Sequence, residues 1–114
     1  MIFIVGGAYQ GKYRYAREHF PEYEIINNYH LKVWDEINSG LDSIKLAEEY
    51  LDGFIPKGGL DRLVIISNEL GYGLVPVDKP EREYREQNGR VNCYLAKMAD
   101  EVYRVVSGIG TRIK

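Results

Sequence analysis

Apolar residues open the chain in an unbroken run, Met1 to Val5, and stop at Gly6-Gly7. A run of that length bounded by glycine reads as a strand buried on both faces. Polar positions then dominate from about Gly11 to Phe20, predicting a helix closed before Pro21. Ile25 and Ile26 predict a second strand over Tyr23–Asn27, with Asn27-Asn28 as its punctuation. From Tyr29 to Ile55 the period lengthens: Ile37, Leu41, Ile44, Ala47 and Leu51 recur at steps of three and four, which is one apolar helical face. Asn38-Ser39-Gly40 breaks that stretch, with Ser39 expected to cap its second piece and Asp42 to place an acid in the first turn. Pro56-Lys57-Gly58-Gly59 predicts a turn.

Leu63-Val64-Ile65-Ile66 is the clearest strand, again apolar on both faces. A long helix is expected from about Pro80 to Asp100, with Tyr84, Asn88, Val91, Leu95 and Met98 on one side. Glu101–Val106 reads as a further strand, and Ser107-Gly108-Ile109-Gly110 leads into a short basic tail. The order β-α-β-α-β-α-β predicts an α/β layer fold with a mostly parallel sheet flanked by helices. Ligands in such folds collect beyond the carboxyl ends of the strands. Gly6–Lys12, Ser67–Gly73 and Ser107–Gly110 all fall there, so one crevice is expected to collect all three.

Composition narrows the picture. With 114 residues, 45% hydrophobic and 28% charged, the chain suits a single globular domain spanning 1–114. A formal charge of −2 gives no field that favours nucleic acid. The basic, tyrosine-interleaved stretch Lys12–Arg17 reads as the solvated side of the first helix. No run is apolar enough to span a bilayer, and Met1 enters the first strand directly, so a cytoplasmic protein without membrane contact is expected. Cys93 is the only cysteine, fits a reducing compartment, and is expected as a packed thiol within the long helix. Ten tyrosines against three phenylalanines suit half-buried surfaces, ligand walls and subunit contacts.

The chemistry is concentrated at the first turn. Gly6-Gly7-Ala8-Tyr9-Gln10-Gly11-Lys12 fits the G-x-x-x-x-G-K part of a phosphate-binding loop. Glycines let the backbone curl so that successive N–H groups converge on a phosphate, and the following helix adds its positive end. Lys12 then supplies a point charge to the β and γ phosphates of ATP or GTP. The next position ordinarily carries a Ser or Thr whose hydroxyl ligates magnesium. Here it is Tyr13, and a phenol is too long for that place, so Mg²⁺ binding is expected to be weakened.

The second half carries a more specific pattern. Asn68-Glu69-Leu70-Gly71-Tyr72-Gly73-Leu74-Val75-Pro76 resembles the N-E-x-G-x-G-I/L-V-P motif of the bifunctional adenosylcobinamide kinase/adenosylcobinamide-phosphate guanylyltransferase family. Gly89-Arg90-Val91-Asn92 resembles its G-R-x-N helix motif, and Ala99-Asp100-Glu101-Val102 through Val106-Ser107-Gly108-Ile109 resembles its closing A-D-E-V…V-S-G-I segment. Gly6-Gly7-Ala8 with Gly11-Lys12 resembles its G-G-A-R-S-G-K-S loop. The resemblance implies a three-layer P-loop fold of the RecA type and a trimer. It also implies phosphorylation of adenosylcobinamide by ATP or GTP, then GMP transfer through a guanylylated histidine. Between the second strand and Leu63 this chain is much shorter than the family. The stretch does not match the histidine helix or the acidic strand of the family, so phosphoryl transfer is expected ahead of guanylyl transfer.

Individual residues keep two readings each. Lys12 and Glu69 are the catalytic candidates. Glu69 at the crevice either orients metal, nucleophile, base or ribose, or simply structures its glycine loop. Arg90 either clamps phosphate or pairs with Glu69 or Asp100. Ser107 and Gly108 are expected beside the nucleotide. Tyr9 and Tyr72 either stack on a base or corrin substituent or are ordinary surface aromatics. Trp34 reads as core or as an oligomer contact. His30 is the sole candidate guanylyl acceptor, against an edge histidine near a helix start. His19 reads as a charge partner for the end of the first helix. Against an active kinase stands a catalytically degenerate nucleotide-binding regulatory or structural protein.

Overall fold

The computed structural model describes residues 1–70 and 78–114. Five strands form one sheet: β1 (Ile2–Gly6), β2 (Glu24–Ile26), β3 (Leu63–Asn68), β4 (Glu101–Val106) and β5 (Ile109–Arg112). Their spatial order is β2-β3-β1-β4-β5. The first four are parallel, with Ile2 opposite Val64 and Glu101 on its two sides, and Ile25 opposite Val64. β5 returns antiparallel to β4, pairing Val106 with Ile109. The helices are α1 (Lys12–His19), α2 (Tyr29–Asn38), α3 (Ser43–Asp52) and α4 (Lys79–Met98).

The period of two in the strands sorts their side chains into two cores. Phe3, Val5, Leu63, Ile65 and Val102 face one way and pack against Tyr29 and Val33 of α2, Ala47 and Leu51 of α3, and Val91 and Leu95 of α4. Ile2, Ile4, Val64, Ile66 and Val105 face the other way, against Ala16 of α1 and the rings of Phe20, Tyr23 and Tyr103. The result is the expected three-layer α/β arrangement. Its handedness has a simple cause. The chain leaves β1 toward β2 on one side of the sheet, then returns through β3 to β4 in the opposite direction. Right-handed crossovers in opposite directions put α1 on one face and α2–α4 on the other.

That division positions the site. β1 and β3 are neighbours, yet the helices that follow them leave to opposite faces. The strands stay paired to Gly6 and Asn68, and the segments that follow them diverge and open a crevice at the switch point.

Several sequence expectations change. The gap between α2 and α3 is real, but the cap is Asp42, whose carboxylate accepts from the N–H groups of Ile44 and Lys45 at 3.2 Å each. A carboxylate at N-cap outcompetes the hydroxyl of Ser39, which instead ends α2. Leu41 belongs to the connection and is exposed, and Met98 is also exposed at the end of its helix. Cys93 is exposed rather than packed. The basic tail contains a strand, β5, whose residues are nearly all exposed.

Candidate anion-binding site

β1 ends at Gly6, where only glycine fits against the neighbouring strand: a Cβ would lie 2.5 Å from the Val105 carbonyl oxygen. The chain then turns through Tyr9, with φ 59°, and Gly11, with φ 85°, before α1 begins at Lys12. Gly11 occupies the left-handed region that side chains disfavour. Among the described residues, the backbone N–H groups of Gly7, Ala8, Tyr9, Gln10 and Gly11 find no protein acceptor. Orphan donors at the entry of a helix are what an anion requires.

The loop is anchored at both ends. Gly6 accepts through its carbonyl from Glu69 N–H at 2.8 Å. Gln10 ties the loop to the β4–β5 turn twice: its side-chain oxygen accepts from Ser107 N–H at 2.7 Å, and its carbonyl from Gly108 N–H at 2.8 Å. Ser107 and Gly108 thus stand beside the loop, where they line a neighbouring hollow with Gln10 and Gly11. The third segment reaches the same place through Asn68, which lines the crevice; Gly71–Gly73 and Tyr72 lie outside the described residues.

Lys12 is buried, with only 8% of its surface exposed, and its Nζ donates to the Gly7 carbonyl at 2.5 Å. Burial pulls the ammonium pKa below its ordinary value, and the nearby Glu69 charge partly restores it. A cavity of about 510 Å³ opens over the loop, walled by Gln10, Lys12 and Tyr13 on one side and by Asn27, Asn28, His30 and Asn68 on the other. Tyr9 stands fully exposed at its rim. The Tyr13 ring does not plug the turn. It is half-exposed, and its hydroxyl lies 3.5 Å from Arg17 one helical turn on.

His30 is a wall residue whose setting sequence reasoning did not reveal. It is buried at the start of α2, and its Nδ1 accepts from Asn68 N–H at 3.2 Å. Burial and the Lys12 charge both lower its pKa. Its carbonyl accepts from the Tyr84 hydroxyl at 3.1 Å, and that phenol is itself pushed up to about 12 by burial. Asn88 and Asn92 of α4 both donate to the Asn68 carbonyl, at 3.0 and 3.1 Å. The spacing of these two asparagines on one helical face was the available signal.

Two expected site residues lie elsewhere. Arg90 pairs with Glu86 at 2.7 Å on the exposed side of α4, in a groove shared with Ile37 and Leu41. Among the described residues it pairs with neither Glu69 nor Asp100: Asp100 takes the Met1 amino group at 2.7 Å. Arg90 sits next to Val91 in sequence, but about 100° separates consecutive residues around a helix, which carries it away from the crevice. The Glu69 carboxylate is gripped by Arg104 through two hydrogen bonds of 3.0 and 3.1 Å. It borders a different cavity, with Leu70, Asn92 and Cys93.

These positions bear on magnesium. Among the described residues lining the 510 Å³ cavity there is no serine, threonine or carboxylate. The phenol of Tyr13 is directed along α1, and Glu69 is committed to Arg104. The side chains do not fit a protein-held magnesium ion; any such ion would depend on the nucleotide's own phosphates.

Comparison with known proteins adds an independent finding. The family model described as cobinamide kinase / cobinamide phosphate guanyltransferase matches residues 42–113. The bifunctional adenosylcobalamin biosynthesis protein CobU of Salmonella typhimurium strain LT2 is 51% identical over 53 residues, 46% of this chain and 29% of that protein. The protein of the same name from Escherichia coli strain K12 is 49% identical over 53 residues, with the same coverage. The matched part of the chain thus spans about 29% of either relative's length. The loop Gly6–Lys12 lies outside the family match and stands on its own geometry.

Proposed function

The chain belongs to the cobinamide kinase/cobinamide phosphate guanyltransferase family, and from that premise we propose that it binds the polyphosphate of ATP or GTP on Gly6–Lys12. The observation that carries this reading is the row of backbone N–H groups from Gly7 to Gly11 without an acceptor among the described residues, curled beside the buried Lys12. Preorganised donors and a desolvated charge act strongly on an anion, because neither must reorganise when it arrives.

The proposed reaction class is phosphoryl transfer to a corrinoid acceptor of the adenosylcobinamide type, within cobalamin biosynthesis. In such transfers the protein's task is positioning and charge stabilisation. The loop amides hold the phosphate chain, and Lys12 offsets charge on the transferred group. Ser107 and Gly108 keep the loop in register through Gln10. Glu69 acts at one remove: its charge favours the protonated form of Lys12 while Arg104 holds it in place. Arg90 belongs to this proposal only as a surface residue of α4.

Isothermal titration with ATP and GTP tests the binding step, and ADP or GDP release in the presence of adenosylcobinamide tests the transfer. A second reading follows from Tyr13 and from the cavity's lack of hydroxyl or carboxylate ligands among the described residues. It is a regulatory or structural protein that kept the nucleotide pocket without turnover. Nucleotide binding with no diphosphate release favours that reading.

Assembly of copies, expected as a trimer, is proposed alongside. The exposed apolar side chains Val106, Ile109 and Ile113 at the β4–β5 side support it, and sedimentation equilibrium tests it. Among the described residues no helix is long and apolar enough to cross a membrane.

A further inference from the structure

A histidine ring has two nitrogens, and a neutral ring carries one proton between them. Which nitrogen holds it is set by the partner of the other. At His30 that partner is unambiguous in kind: the backbone N–H of Asn68 points at Nδ1 from 3.2 Å, and an amide donor requires a lone pair there. The proton of the neutral ring is therefore on Nε2. The peptide that carries this N–H lies inside β3, where Ser67 and Asn68 pair with Val5 and Gly6, and the following carbonyl, that of Asn68, is held by both Asn88 and Asn92, so the strand presents the donor in a fixed direction. The other ring nitrogen has no acceptor among the described residues, although the residue is only 7% exposed and its ring lines the cavity over the loop.

We propose that His30 is an uncharged donor of the anion site, its Nε2–H binding a phosphate oxygen of the nucleotide beside Lys12. The proposal rests on the nucleotide-binding reading above. It assigns His30 a role opposite in polarity to that of a covalent acceptor. Attack on an α-phosphate by Nε2 needs the lone pair on that atom and the proton on Nδ1. A proton there would face the Asn68 N–H, donor against donor, so the ring is built to give a hydrogen bond and not to accept GMP. Burial first, and the Lys12 charge across the cavity second, favour the neutral ring, which preserves the donor tautomer rather than a second cation.

The test uses the full chain labelled with ¹⁵N in its histidine rings, with GTP as the probe. Long-range ¹H–¹⁵N spectra report the tautomer directly, and His30→Phe identifies the resonances against His19. Expected are an unprotonated Nδ1, a protonated Nε2, and movement of the Nε2 resonance when GTP is added. In calorimetric titrations His30→Phe should bind GTP about tenfold more weakly, as for loss of one donor to a charged oxygen. His30→Gln, whose amide still donates, should lose about threefold or less. An Nδ1-protonated ring overturns the donor role. So does GTP binding that depends on Lys12 while leaving Nε2 unmoved, and that result leaves the nucleotide reading standing. Absence of GTP binding in the unmodified protein overturns both. Should His30→Phe fail to fold, the spectra of the unmodified protein with and without GTP decide the question.

Discussion

The side-chain oxygen of Gln10 accepts a 2.7 Å hydrogen bond from the backbone of Ser107, joining residues 97 positions apart. The first loop is thereby fastened to the last turn of the sheet. Replacing Gln10 with alanine keeps the backbone bond from Gly108 but removes this one. Nucleotide affinity is expected to fall severalfold, with stability reduced by about 1 kcal/mol. Calorimetry and urea unfolding of Gln10→Ala check both effects. Unchanged affinity would show that the strap does not order the loop.

Two adjacent glycines should respond differently to the same methyl group. At Gly6 a Cβ meets the Val105 carbonyl at 2.5 Å, backbone against backbone. At Gly7 it meets only the flexible Gln10 side chain, at 3.7 Å. Gly6→Ala is expected to cost about 1–3 kcal/mol, and Gly7→Ala well under half as much. Chemical denaturation of the two variants provides the comparison, and equal losses would contradict the packing of β1 on β4.

His30 has its pKa lowered in the folded protein, by burial first and by Lys12 second. The sign follows from linkage. A depressed pKa means the folded state binds fewer protons than the unfolded chain, so stability is complete above the ordinary value of 6.5 and lost as pH falls below it. The melting temperature should therefore drop on acidification through that window. His30→Gln should flatten the drop. Parallel pH profiles for the two proteins would remove His30 as its source.

Much of this was legible from the chain, and the reasons are physical. Long apolar runs such as Leu63–Ile66 and the loop at Gly6–Lys12 are local signals, and both stand where the pattern placed them. β5 escaped because an edge strand with Gly110 in it and exposed side chains lacks any burial pattern to read. The exposure of Cys93 and of Arg90 follows from the helical period of α4. On α4 the buried positions are Tyr84, Asn88, Val91 and Leu95, and Arg90 and Cys93 fall between them on exposed surface. The role of His30 was hidden more deeply. It depends on a peptide N–H in β3 and two asparagines in α4, which no local window of sequence unites.

Tyr13 stands where the loop chemistry calls for a short hydroxyl, and its own hydroxyl is turned toward Arg17. Tyr13→Ser restores a ligand of the right length at the right place. Magnesium-dependent release of diphosphate should rise in that variant. Identical rates before and after the exchange would show that this position does not limit transfer.

The central claim is that the amides of Gly7–Gly11 and the ammonium of Lys12 grip a phosphate chain. Calorimetric titration of GTP into the unmodified protein and into Lys12→Ala tests it most directly. Saturable binding that weakens by about 2 kcal/mol in the variant, roughly thirtyfold, is the predicted result. Equal dissociation constants for the two proteins, or no heat of binding from either, would contradict it.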